Sequence, residues 1–414
     1  MKLALINETG SPARQDPGID FAQVRALSGK SLFVSKNDAQ ARDARVSSLD
    51  WSALADTAGC SPFGRPDWIL AYLDAFEPNA TLARFDVFRA DELIGTLPLL
   101  SERCWFHGVP IRFLRAPGLR HAPERFDAVC TGPDSLAVAA VLWESLRRDR
   151  GWDVIELVDL PENGPGWRLM QSAEASGFRV GRRMSRRTPF IAIPADASNL
   201  EAVLPETSAK FRANVRRRMR NLEKIGPVVL KRHTEFDETL FMRFLALEHA
   251  GWKGRNQTSI LSDGRLVRLY RSLAQSAAAN GYLCMYSLEC AGETVAMHLG
   301  LSRFGQYLVP KLAFDEGKHE FAPGHLLVSE VLRDCVARGC TEFDFLGNEM
   351  PWKLEWTRQL RNHHRVHIFN NTVAGRAAYL SRYKILSGVR TLTRFGQGGF
   401  PNQTSDAEPE RAPS

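Results

Sequence analysis

The stretch FAPGHLLVSEVLRDCVARGCTEFDFLGNEMPWK, residues 321–353, decides how this chain is read. Pro323 and Gly324 close a polar loop and open a helix: proline suits a first helical turn, and glycine lets the backbone come close to a neighbour. Apolar residues then recur at helical spacing over 327–337, Gly339 ends the run, and Glu342-Phe343-Asp344-Phe345 alternates as a strand does. A strand over 307–315 lies before the loop, so the segment predicts a strand, a helical crossover and a second, parallel strand. Before that, 283–288 and 294–302 read as a hairpin around the turn Ala291-Gly292-Glu293.

The same order occurs once more upstream. Strands at 85–88 and 93–100 flank the turn Ala90-Asp91-Glu92, and Glu92, Ile94 and Gly95 align with Glu293, Val295 and Ala296 at an offset of 201. The helix around Leu142 to Leu146 ends near Gly151 before the strand Val154-Ile155-Glu156-Leu157, and Gly151 and Gly339 differ by 188, so the second copy is 13 residues shorter between the landmarks (201 minus 188). Two ordered landmarks predict a duplicated unit of hairpin, strand, helix and strand. At 414 residues two domains are expected in any case.

Composition narrows the class. With 44% apolar and 24% charged residues the chain is globular, and no run approaches the ~20 apolar residues of a spanning helix. The opening MKLALINETGSPARQDPG has too short an apolar run for a secretory leader, so the expected location is the cytoplasm, at most peripheral to the inner face of the membrane. Seven scattered cysteines, none in a CxxC pair, predict neither a disulfide framework nor a metal site. GxSxG, HExxH, Walker A and dinucleotide fingerprints do not occur. The charge of +7 is uneven: four arginines fall in 182–187, seven basic residues in 210–224, and no Asp or Glu between Asn370 and Ser405. Such runs predict an anionic partner.

GWKG at 251–254, and above all the 321–353 stretch with its order PG, apolar helix, G, FDF-x-G and then Lys353, resemble the GNAT-like acyltransferases named after the cellulose-biosynthesis protein CelD, relatives in fold of the FemAB peptidyltransferases. The resemblance spans about residues 49–367. It implies an α/β (α+β) chain of two tandem GNAT-like domains, each a mixed, mostly antiparallel sheet flanked by helices, in agreement with the repeat. The expected boundaries are an extension over 1–48, an N-terminal domain over 49–190, a C-terminal domain over 191–370 carrying the active site, and a tail over 371–414. Arginines and prolines at 185–194 are expected to break the pattern between the domains.

The resemblance implies acyl-CoA as co-substrate, no metal, and a cell-envelope or exopolysaccharide precursor as acceptor. A helix start has unpaired donors and a positive dipole end, so Pro323, Gly324 and His325 are the expected pyrophosphate site, with Lys311 as a further anion ligand. The fuller glycine-rich loop of acetyl-CoA-binding GNATs is absent. Direct attack by an amine needs orientation, an oxyanion donor and a proton acceptor. Asp344 and Lys353 are the first catalytic candidates, with Glu248 and His298 beside them; Asp344 reads equally as a strand-end carboxylate paired with an arginine. Trp252, Lys253 and Arg216 are candidate substrate contacts. An aminoacyl-tRNA donor held by the basic helix at 209–225 is one alternative, and a non-catalytic accessory role in polysaccharide synthesis is another. Tyr379, Tyr383, Leu386, Val389 and Leu392, spaced helically among basic residues, predict either a docking helix or a helix on an anionic membrane.

Overall fold

The computed structural model describes residues 32–40, 49–118, 125–204 and 206–385. Thirteen strands form one mixed sheet: β1 Leu32–Gln40, β2 Thr81–Arg89, β3 Glu92–Phe106, β4 Val109–Arg115, β5 Val129–Cys130, β6 Val154–Pro161, β7 Arg179–Ala192, β8 Val228–His233, β9 Met285–Cys290, β10 Glu293–Arg303, β11 Gln306–Phe314, β12 Glu342–Asp344 and β13 Leu360–Phe369. Their order is β1-β2-β3-β4-β6-β13-β7-β12-β11-β10-β9-β8, with β5 on β3. Among the described strands only β4·β6 and β11·β12 are parallel, each bridged by the predicted helix, Ser135–Arg148 or Pro323–Ala337.

The duplication is visible residue by residue. β3 has one extra residue opposite β2, at Ile94, and β10 has one opposite β9, at Val295; these are the two positions the sequence aligned. Ala90 and Ala291, which start the two turns, are both left-handed, with φ of 54° and 52°. The next hairpins turn on His107-Gly108 and Phe304-Gly305, all four residues at positive φ, the conformation that matches the twist of the flanking strands. The chain therefore has the tandem GNAT-like fold expected.

One expectation is corrected. Residues 185–194 do not interrupt the pattern, because Arg179–Ala192 is one strand. Among the described residues its strand neighbour over 179–187 is β13; Arg182, Arg183 and Arg187 are exposed, as on charged edge strands, while Arg186 pairs with Asp159. Pro189 falls where β7 passes from β13 to β12. The last strand, β13, lies between β6 and β7 and so completes the sheet of the first unit.

Helices cover both faces. Pro66–Phe76 of the first unit packs against Gly264–Ala279 of the second over a shared core that also takes Phe241 and Phe244. On the opposite face, Ser135–Arg148 and Pro165–Ala175 cover the first unit, and Ala209–Glu223 and Pro323–Ala337 the second. No described helix is long and apolar enough to cross a membrane.

Candidate functional site

Each parallel pair stays together for only three residues. β11 leaves β12 after Leu308 and Asp344, and β4 leaves β6 after Arg115 and Glu156. The two openings differ. Between β4 and β6, in the first unit, the chain fills its own gap: Phe126 N–H donates to Asp159 O and its ring is buried in the core that holds Leu157, Val158 and Leu160. In the second, β11 has one extra residue between Leu308 and Lys311 relative to β10, which bends the strand where it parts from β12. Asp315 N–H donates to Val295 O, so by antiparallel alternation Leu312 and Phe314 turn their peptide groups away from β10, toward the opening. Pro310, also on that outward register, costs the ladder no hydrogen bond.

Lys253 stands at this opening. Its Nζ donates to Leu312 O at 3.1 Å and to Glu248 Oε1 at 2.9 Å, while Glu248 Oε2 accepts Ile260 N–H at 2.9 Å. GWKG is built to place it. A Cβ on Gly254 would lie 1.8 Å from His249 O, and Glu316 Oε1 accepts Trp252 N–H at 2.6 Å.

At the mouth on the opposite face lies the start of helix Pro323–Ala337. Ala322 before it is left-handed, and the N–H groups of His325 and Leu326 both reach back to Ala322 O. Pro323 has no N–H, which leaves Gly324 N–H without a partner among the described residues. A Cβ on Gly324 would meet the Phe314 ring at 3.4 Å, so this glycine's missing side chain faces the core and not the mouth. His325 sits among Phe211, Trp352 and Trp356. Trp356 Nε1–H donates to its Nδ1 at 3.1 Å, so the neutral ring carries its proton on Nε2. Burial, then the Arg218 guanidinium, pushes the His325 pKa down to about 4. Arg218 is thus the arginine of the basic helix that faces the helix start. Arg216 is exposed and lies 3.3 Å from Glu201.

The other candidates lie deeper. Asp344 is fully buried; its Oδ1 accepts Leu346 N–H at 2.7 Å and its Oδ2 pairs with Arg361 and Arg125. Of the two readings open for Asp344, this is the arginine-paired carboxylate. Lys353, also buried, donates from Nζ to Leu346 O at 2.7 Å and Asn348 O at 3.0 Å, tying down the loop after β12. His298 is enclosed in the core beside Tyr307, and burial pushes its pKa down to about 3. Lys311 lies on the other face of β11 from the helix start, over the Tyr270 ring at 5.3 Å. Trp252 is half-buried beside Lys253. The structure therefore brings Glu248 and Lys253 together at the opening, and Asp344 and Lys353 behind it; His298, Lys311 and Arg216 stand apart.

Sequence reading missed Arg125, Arg361, Trp356 and His363, and it had Arg218 only as one of several arginines of the basic helix. His363, on β13 at the junction of the units, is fully buried, and its Nδ1 lies 3.2 Å from Thr188 Oγ1. Thr188 donates its one proton to Gly347 O at 2.9 Å, so Nδ1 of His363 is the donor and Nε2 an unprotonated acceptor. Arg361 and His363 could have been noticed as polar residues inside the strand LRNHHRVHIF; Arg125 carries no local signal.

The sequence model described as acetyltransferase (GNAT) domain matches residues 209–354, the span that contains the open notch and the helix start. No curated protein matches the sequence. Among solved structures, FemX aligns with 81% of this chain and 98% of its own at 12% identity and a TM-score of 0.54. L-PGS from Bacillus licheniformis aligns with 80% of this chain and 94% of its own at 12% identity and a TM-score of 0.46. A tandem GNAT protein from the clavulanic acid pathway covers 82% and 99% at 12% and 0.42. At such identities the likeness to FemX is one of fold. Residues 209–354 thus match a GNAT acetyltransferase domain, and the chain as a whole has a GNAT-like fold; the likeness to the CelD-named group rests on the sequence resemblance alone.

Proposed function

We propose that the second unit transfers an acyl group from an acyl-CoA to an amine or hydroxyl of a cell-envelope or exopolysaccharide precursor. The observation that carries this is the bent β11 opening away from β12. An open strand edge can pair with an extended, amide-bearing thioester arm as it would with another strand. At one end of the opening, Gly324 N–H and Arg218 are donors for phosphates, while the Nε2–H of His325 faces Glu355 Oε2 at 3.5 Å. At the other, Lys253, held by Glu248, is the cation next to a carbonyl inserted along Leu312. The acceptor attacks the thioester carbonyl directly and the thiolate leaves, so no covalent enzyme intermediate is required.

The test is calorimetric titration of the whole protein with CoA, acetyl-CoA and a long-chain acyl-CoA. Binding that weakens with Arg218→Ala but not with Arg216→Ala supports the assignment, and binding indifferent to Arg218 removes it. An aminoacyl-tRNA donor is the second reading. It is favoured by the exposed Arg216, Arg217 and Arg220 on the same helix as Arg218. There, Arg216→Ala and Arg217→Ala would flatten the salt dependence of tRNA binding by about one unit per lost phosphate contact. A wild-type protein that binds neither donor would leave the accessory role.

A further inference from the structure

The C-terminal helix Val373–Leu380 is pinned to the sheet by polar contacts at both ends. Thr372 Oγ1 donates to Asp153 Oδ1 at 2.6 Å, and Asn370 Nδ2 donates to Trp152 O at 2.9 Å. Beyond the helix, Ser381 Oγ donates to His107 O at 2.6 Å. Gly375 admits no side chain, since its Cβ would lie 2.4 Å from Asn370 O. Ala378 and Tyr379 face inward onto Ile111, Phe113 and Phe369. The roll of the helix is therefore fixed, and so is its outer stripe: Val373 is 88% exposed and Leu380 48%, seven residues apart with exposed Arg376 between them.

The outer face thus mixes apolar and basic side chains while the inner face is packed on the sheet, the pattern of a helix that lies on an interface. We infer that the outer stripe of Val373–Leu380, with the described Arg376 and Arg382 beside it, docks this protein on an anionic lipid surface. Three observations select that occupant. First, Asn370 to Ser405 contains Arg376, Arg382, Lys384, Arg390 and Arg394 and no acid, which is complementary to anionic headgroups. Second, the stripe adds apolar side chains among those cations, which a nucleic-acid backbone has no use for and the acyl boundary of a bilayer does. Third, one eight-residue helix offers far less than the ~800 Å² per partner of a stable dimer. Arg382, stacked 5.8 Å from the Phe106 ring beside His107, sets one of the cations on the rigid body itself. This goes beyond the acyl-transfer reading and does not depend on it.

The experiment is vesicle co-flotation of the full chain with phosphatidylcholine vesicles, with and without about a quarter phosphatidylglycerol, at low and high salt. Binding is expected only with the anionic lipid and should fall with salt. Arg376→Glu reverses a charge and should weaken it about 25-fold, at about fivefold per charge unit. Val373→Glu with Leu380→Glu should abolish it while the melting temperature stays unchanged. Absence of flotation, equal flotation on neutral vesicles, or full binding by the Val373/Leu380 variant overturns the proposal. A concentration-dependent dimer that disappears in that variant would assign the stripe to a second copy instead.

Discussion

Replacing Lys353 separates support from chemistry. Its ammonium holds Leu346 O and Asn348 O, and through them a loop in which Leu346 is left-handed at φ 52°. Lys353→Met keeps the stem and removes the donors. The buried Leu346 carbonyl and the more exposed Asn348 carbonyl then lose charge-assisted partners, at about 1.5–3 kcal/mol for a charged hydrogen bond, partly offset because an ammonium no longer has to be desolvated. A net loss of about 3 kcal/mol should remain, or roughly 3–4 °C in melting temperature for a chain of this size. Thermal unfolding by circular dichroism measures it, and acetyl-CoA titration of the same sample reports the notch. The expected result is a lower melting temperature with binding weakened in step, because Asp344 and the loop share the Leu346 peptide. An unchanged melting temperature with turnover reduced by orders of magnitude would refute the reasoning and return Lys353 to the reaction itself.

Three further outcomes are expected. Gly254→Ala forces a Cβ into His249 O and should displace Lys253, costing several kcal/mol in urea unfolding and lowering acyl-CoA affinity together. Arg218→Ala should weaken CoA about tenfold and raise the His325 pKa, read by NMR titration, since the guanidinium depresses it. Acid should destabilise the protein between about pH 6.5 and 4. His298 and His363, pushed to about 3, and His325, at about 4, lie below their unfolded value, so the stability they hold above pH 6.5 is lost as pH falls, by about 1.4 kcal/mol per unit per group. Asp127, pushed by burial up to about 7, works in the opposite sense and should cancel about one of the three. A urea midpoint constant from pH 7 to 4.5 would contradict this.

What the sequence disclosed was local. The turn residues at 90–92 and 291–293 carry their own conformation, so the repeat and even its bulges at Ile94 and Val295 could be aligned without coordinates. The loop, helix and strand of 321–353 were legible for the same reason. Pairings across long separations were not. Nothing near Asp344 announces Arg125, 219 residues away, or Arg361, and the basic helix does not say which arginine turns inward. β7 was hidden because an arginine-rich edge strand has the composition of a linker. For Lys353 and Asp344 the pattern gave location, whereas role depends on what the polar atoms touch, and both touch the protein.

The insertion of β13 between β6 and β7 has a consequence for synthesis. A ribosome delivers the first unit's helices and β1 to β7 long before residues 360–369 emerge, so that unit waits with the edges of β6 and β7 unmatched until nearly the whole chain is out. The two repeats are therefore not independent folding bodies laid end to end. A fragment ending near residue 190 should expose two strand edges and aggregate, and supplying 360–369 as a separate peptide should be what rescues it.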